Sequence, residues 1–215
     1  MEYTAIVLAA GSGTRLALGY NKLLYEIRDN WTIIQETIKL FLEDIKCSQL
    51  LLVCNEVDMV NIKSMFVHDK VEYIIGGARR QDSVSAGLKH VKNPYVLIHD
   101  GARPYLKQSS VDNLLKALRD NDACILAVPM KDTVKQVKNG YVINTPKRSE
   151  LVAAQTPQGF LTTAIQDAYA RMEQLQIEVS DDASVIELCT NIPVKIIEGY
   201  YDNIKITTKE DLNRN

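Results

Sequence analysis

A short loop near the start of the 215-residue chain, "LAAGSGTRLALGYNK" over residues 8–22, combines residue types suited to holding a polyanion. It follows the apolar run "TAIV" and carries Gly11 and Gly13, then the cations Arg15 and Lys22. Glycines placed after a strand let the backbone approach a ligand closely and turn N–H groups inward, a concavity suited to phosphate oxygens. Arg15 offers a planar fork and Lys22 a compact point charge, so the two would close over a polyphosphate and stabilise the charge that builds up in phosphoryl or nucleotidyl transfer. The spacing excludes two other phosphate loops. A P-loop needs GxxxxGK[ST], and a dinucleotide fingerprint needs a third glycine where Leu16 stands. A nicotinamide-dependent dehydrogenase is set aside on that ground.

Such a loop works only if a scaffold presents it. Apolar runs at 4–9, 49–55, 71–75, 95–100 and 124–129 read as strands buried on both faces. Between them, residues 32–45, 56–66, 80–91 and 109–121 place apolar side chains at helical spacing, with Ser109 or Ser110 as the expected N-cap of the last. This alternation predicts an α/β fold, a Rossmann-like and mostly parallel sheet flanked by helices. Ligands of such sheets collect at the carboxyl ends of the strands, where the glycine loop lies. After residue 130 the rhythm changes to β-formers around an "NG" hairpin signal. Residues 131–155 therefore read as a projecting β-arm, which needs a second surface because an isolated hairpin is marginal in water. Helices follow at 161–176 and 181–189, and a last strand at 194–199. One domain spanning residues 1–215, with its arm, is the simplest organisation.

Composition narrows the function classes. A formal net charge of -2 argues against a nucleic-acid-binding surface. No apolar run approaches the ~20 residues of a membrane helix, and the opening "MEYTAIVLAA" lacks the positive start of a secretory signal. Cys47, Cys54, Cys124 and Cys189 are scattered without CxxC or Cys/His pairing, so they read as free buried thiols of a cytoplasmic protein. His68 and His90 read as surface helix residues.

The glycine loop with its "NK" resembles the signature of sugar- and polyol-phosphate nucleotidylyltransferases. Four further segments, "GGARRQDSVSAGL" (76–88), "HDGARP" (99–104), "VPMKDTVK" (128–135) and "DNIKIT" (202–207), resemble in order and spacing the 2-C-methyl-D-erythritol 4-phosphate cytidylyltransferase family of the non-mevalonate isoprenoid pathway. The resemblance covers almost the whole chain. It implies transfer of CMP from CTP to 2-C-methyl-D-erythritol 4-phosphate; ribitol 5-phosphate cytidylyltransferase is the alternative on the same scaffold.

The resemblance also implies roles. Ala9, Ala10, Gly11, Ser12, Gly13 and Thr14 would wrap the triphosphate, with Arg15 and Lys22 steadying the transition state. The family most often has proline before that lysine; this chain has Asn21, which implies a less rigid loop. Gly76, Gly77, Ala78, Arg80 and Ser83 would recognise cytosine and ribose. Asp100 stands at a strand end among expected phosphates and implies a hard divalent ion, Mg²⁺, with Gly101 beside the nucleotide and Arg103 near the incoming phosphate. Lys205 would orient that phosphate, with Asp202 and Thr207 as neighbours. Thr133, Lys135, Arg148 and Thr156 match acceptor-side positions. The arm is expected to cross a homodimer axis, carrying Thr133 and Arg148 into the partner's site. His99 is assigned a structural role, since a phosphomonoester is already ionised near neutral pH and needs no general base.

Overall fold

The computed structural model describes residues 1–11 and 19–212. β1 (Tyr3–Ala9) is an interior strand of the sheet, buried along nearly its whole length. β1 pairs in parallel with β4 (Cys47–Cys54) on one side and β6 (Tyr95–Asp100) on the other. The sheet continues through β5 (Val71–Ile75), β7 (Ala123–Pro129), β10 (Val152–Leu161) and β11 (Lys195–Glu198), in the order β11-β7-β10-β6-β1-β4-β5. All neighbours are parallel except β10, which runs antiparallel to both β6 and β7. The expected mostly parallel sheet is therefore present, with one inserted strand that the alternation of strands and helices does not announce.

Two apolar clusters cover the two faces of the sheet. On one face, α1 (Ile33–Glu43) seats Ile33, Ile34, Ile38 and Phe41, all fully buried, and α4 (Gln108–Ala117) adds Val111 and Leu114. Burying each such side chain contributes about 1.5–3 kcal/mol. α1 starts where it does because Thr32 and Gln35 form a capping box. On the other face, α3 (Arg80–Leu88), α5 (Thr162–Leu175) and α6 (Asp182–Cys189) supply Val84, Ile165, Met172 and Ile186. α2 (Met59–Met65) packs beside β5. A small hairpin of β2 (Glu26–Arg28) and β3 (Trp31–Thr32) leads into α1.

Three local expectations change. The N-cap of α4 is Lys107, which makes no side-chain capping bond, so neither Ser109 nor Ser110 caps the helix; both lie within its first turn. His68 and His90 are exposed, but His68 sits in a loop and His90 in a turn rather than in helices. The arm contains a short 3-10 turn at Arg148–Glu150, and its last residues already belong to β10. Its hairpin, β8 (Gln136–Lys138) and β9 (Tyr141–Asn144), turns on Asn139 and Gly140 at φ 51° and 82°, the paired left-handed conformations that an Asn-Gly turn supplies cheaply. The four cysteines are free and buried. Among the described residues no helix is long and apolar enough to cross a membrane.

Candidate active site at the strand ends

The carboxyl ends of β1 and β6 open into a cleft of about 290 Å³. Ala10, Gly11, Lys22, Gly77, Ala78, Arg80, Ser83, Asp100, Gly101 and Lys205 line it, so most of the sequence-selected positions that lie among the described residues converge. Ser12, Gly13, Thr14 and Arg15 lie outside the described residues. Ala9 is buried behind the lining, and Gly76 packs so closely on Ser83 and Ala10 that a Cβ would come within 2.8 Å of both. Gly101 is held as tightly: its N–H donates to Leu8 O at 3.0 Å, and a Cβ there would meet that same carbonyl at 2.6 Å.

Asp100 is the electrostatic focus. Its carboxylate is 7% exposed and meets Lys205 Nζ at 2.8 Å, Arg80 Nε at 3.4 Å and Arg103 Nε at 3.6 Å. The last is a charge contact rather than a hydrogen bond. Burial alone would raise the Asp100 carboxyl. The charges of Arg80 and Lys205, with the Lys205 hydrogen bond, outweigh it and hold the group well below the usual carboxylate range. Asp100 N–H donates to Thr156 Oγ1 at 3.0 Å, and the same hydroxyl hydrogen-bonds His99 Nδ1 at 3.0 Å. Thr156, which does not line the cleft, thus has its hydroxyl bonded to the end of β6 through Asp100 N–H and His99. His99 is fully buried, its Nε2 on Arg103 O at 3.1 Å, and burial pushes its pKa down to about 4. A neutral imidazole wired at both nitrogens is a structural group.

Arg80 and Arg103 are also tied from behind. Arg80 forks onto Asp182 at 3.0 and 2.8 Å, and Asp182, wholly buried, accepts in addition from Tyr169 Oη at 2.7 Å. Gln158 Oε1 receives the N–H groups of Asp182 and Ala183 at 3.0 and 2.9 Å. Arg103 Nη1 donates to Asn203 O at 2.7 Å. Asp182, Gln158 and Asn203 are supporting residues that sequence reasoning did not single out. An acidic residue in "SDDAS" reads as a helix start, and Asp181 does cap α6 by accepting from Ser184 N–H at 3.0 Å.

At the glycine loop's far end, Lys22 opens a 3-10 turn, Lys22–Leu24, and its Nζ donates to Ile206 O at 2.6 Å. Asn21 has φ −61° and ψ 121°, a φ that proline would also adopt, and is fixed by hydrogen bonds instead of a ring. In the "GGARRQDS" stretch, Ser83 Oγ accepts from Gly77 N–H at 3.2 Å, and Asp82 accepts from Arg79 N–H at 3.1 Å. These bonds set α3 with its N-terminus at the cleft, where unpaired N–H groups favour an anion.

The described cleft lining carries Lys22, Arg79, Arg80 and Lys205 against Asp100, with Arg103 just behind, Asp182 behind Arg80 and Asp82 paired to Arg79. The excess is positive, as a polyphosphate site needs. No cluster of three or more His, Cys, Asp or Glu side chains suited to a metal is found among the described residues. Asp100 is nonetheless the kind of ligand a hard cation takes: its two carboxylate oxygens offer about four lone-pair directions, and Lys205 and Arg80 hydrogen-bond to it while Arg103 makes a charge contact only.

The arm residues stand elsewhere. Thr133 and Arg148 are exposed, Arg148 Nη1 donates to Lys131 O at 2.8 Å, and Lys135 Nζ donates to Thr145 Oγ1 at 2.9 Å. None of them lines the cleft of its own chain.

Comparison with known proteins gives a consistent result. The family model described as IspD, 2-C-methyl-D-erythritol 4-phosphate cytidylyltransferase, matches residues 3–215. A protein of that name from Bacillus velezensis is 38% identical, aligning 99% of this chain with 93% of its own length. Another from Bacillus thuringiensis is 40% identical over 98% of this chain and 94% of its own. Among solved structures, 4-diphosphocytidyl-2C-methyl-D-erythritol synthase from Anaerococcus prevotii superposes with a TM-score of 0.87 at 31% identity, covering 98% of this chain and 92% of that one. The Francisella tularensis 2-C-methyl-D-erythritol 4-phosphate cytidylyltransferase gives 0.85 at 30%, covering 99% and 97%.

Proposed function

Because the chain belongs to the 2-C-methyl-D-erythritol 4-phosphate cytidylyltransferase family, we propose that it transfers CMP from CTP to 2-C-methyl-D-erythritol 4-phosphate in isoprenoid precursor synthesis. The products are 4-diphosphocytidyl-2-C-methyl-D-erythritol and pyrophosphate. The observation that carries this reading is the positively charged cleft around Asp100, with Lys22 and Lys205 on its walls.

A phosphate oxygen of the acceptor attacks the α-phosphorus of CTP, the new P–O bond forms, and the bond to the β-phosphate oxygen breaks in line. The electron pair leaves with pyrophosphate, so no group on the protein is consumed. The chain's task is positioning and charge neutralisation. Arg15 and Lys22 lower the barrier by meeting charge on the triphosphate as it shifts to the leaving group. The backbone from Ala9 to Thr14 cradles the phosphates, and the Gly76–Ser83 segment with Gly101 receives the nucleoside. Lys205 and Arg103 place the acceptor phosphate, with Thr156 fixing the strand beneath. Asp100 would hold Mg²⁺, which when bound neutralises phosphate charge. Thr133 and Arg148 act in the neighbouring subunit of a homodimer, completing its acceptor side.

Pyrophosphate release from CTP tests this with each acceptor and with Mg²⁺ present or chelated. Turnover with 2-C-methyl-D-erythritol 4-phosphate and Mg²⁺, much exceeding that with ribitol 5-phosphate, is expected. Preference for ribitol 5-phosphate would move the acceptor, and turnover unaffected by chelation would remove the ion from Asp100.

A further inference from the structure

Asn21 occupies an unusual place. It is 4% exposed, directly precedes Lys22, and its carboxamide bridges three separate parts of the chain. Oδ1 accepts from Leu23 N–H at 3.0 Å, capping the turn that Lys22 opens. Nδ2 donates to Ala9 O, the last residue of β1, at 3.1 Å, and to Asp58 Oδ2 at 2.7 Å. Both amide hydrogens are thus used, and its backbone carbonyl accepts from Leu24 N–H at 2.9 Å.

Asp58 is itself held. It accepts from Asn55 Nδ2 at 2.5 Å, and its N–H donates to Asn55 Oδ1 at 2.7 Å, so the entry to α2 is a closed pair of side chains. This arrangement does nothing for α2 as a cap, because Asp58 makes no side-chain capping bond to its own helix. The carboxylate instead faces Asn21.

We propose that Asn21, anchored by Asp58, is a positioning residue for Lys22. It ties the end of β1 to the turn that bears the lysine, closing the base of the glycine loop. Lysine has a long, flexible stem, so where its ammonium sits depends on how firmly its backbone is held at either side. Asn21 holds the residue before and caps the residue after, while Ile206 O receives the ammonium at 2.6 Å. A displacement of about 1 Å in such a group is enough to cost on the order of 100-fold in rate. The inference rests on the catalytic reading of Lys22 given above.

The full-length protein with CTP, acceptor and Mg²⁺ provides the test. Asn21→Ala is expected to lower kcat about 10- to 100-fold while the KM for CTP moves much less, with an unchanged circular dichroism spectrum. In a Lys22→Ala background the same substitution should cost almost nothing more, because its effect passes through the lysine. Asn21→Asp keeps the cap but removes both donors, and serves if the alanine variant does not fold. Adding Asp58→Asn to it restores a donor–acceptor pair between the two positions and should recover part of the lost kcat. Native kcat in Asn21→Ala or Asn21→Asp, an undiminished loss in the Lys22→Ala background, or no recovery in the exchanged pair would each overturn the proposal. Near-native turnover of Lys22→Ala alone would overturn the catalytic reading of the lysine first, and this inference with it.

Discussion

At the strand ends, Asp100 is buried and ringed by Arg80, Arg103 and Lys205, each of them fastened or paired within the same chain. On the arm, Arg148 and Thr133 are exposed, and so are Val137, Tyr141, Val142 and Ile143 of the hairpin beside them. In the first region the carboxylate and its three cations find their partners within one polypeptide. The second presents exposed apolar side chains and Arg148, whose guanidinium bonds Lys131 O of its own chain, an arrangement that suits packing on the second copy proposed above. The contrast separates groups that the fold of one chain fixes from groups that the proposed homodimer would fix.

The sharpest way to break the comparison is at Asp100. Asp100→Asn keeps the shape but leaves the cations without their central charge, and kcat is expected to fall on the order of 100-fold or more, checked by steady-state pyrophosphate release. A fall of less than about threefold would strip the strand-end region of its role. The arm is tested by mixing. Arg15→Ala and Arg148→Ala chains, each inactive alone, should recover about a quarter of native activity once subunits exchange at equal amounts, because one site in four carries neither lesion. No recovery despite proven exchange would return the arm to its own chain.

A smaller effect concerns the foundation of the strand-end region. His99, held neutral with a pKa near 4 by burial, ordinarily titrates at 6.5. The unfolded chain binds that proton first as pH falls, so the folded state loses stability between about 6.5 and 4 and regains it as pH rises through that window. The full shift corresponds to roughly 3 kcal/mol. Urea unfolding at several pH values should show this slope, and His99→Gln should flatten it; an equal slope in the variant would place the acid sensitivity elsewhere.

The parallel part of the fold was readable because its strands are apolar on both faces: the runs at 71–75 and 95–100 are the observed β5 and β6. β10 was not readable for the opposite reason. Its centre is Gln155, Thr156, Pro157, Gln158 and Gly159, which reads as loop, yet these residues are buried, and partners meet several of their polar atoms: Tyr200 O receives Gln155 Nε2 at 2.8 Å, and Gln158 bonds Asp181 and the start of α6. Tertiary hydrogen bonding overrode local preference there. At the site, residue types with obvious charge and spacing, Lys22, Asp100 and Lys205, were legible. Their supports were not, since an asparagine such as Asn21 or an aspartate such as Asp182 acquires its role only from what the fold brings opposite it.

β10 has one more consequence. It begins at Val152 beside the arm and, four residues on, delivers Thr156 to the Asp100 N–H, with a register shift between Ala154 and Gln158. Side chains alternate faces along a strand, so adding or deleting one residue in this stretch would swing the threonine hydroxyl to the wrong side of the sheet. Length can drift freely at the Asn139–Gly140 tip but is pinned here, as on a tether cut to measure between two fittings.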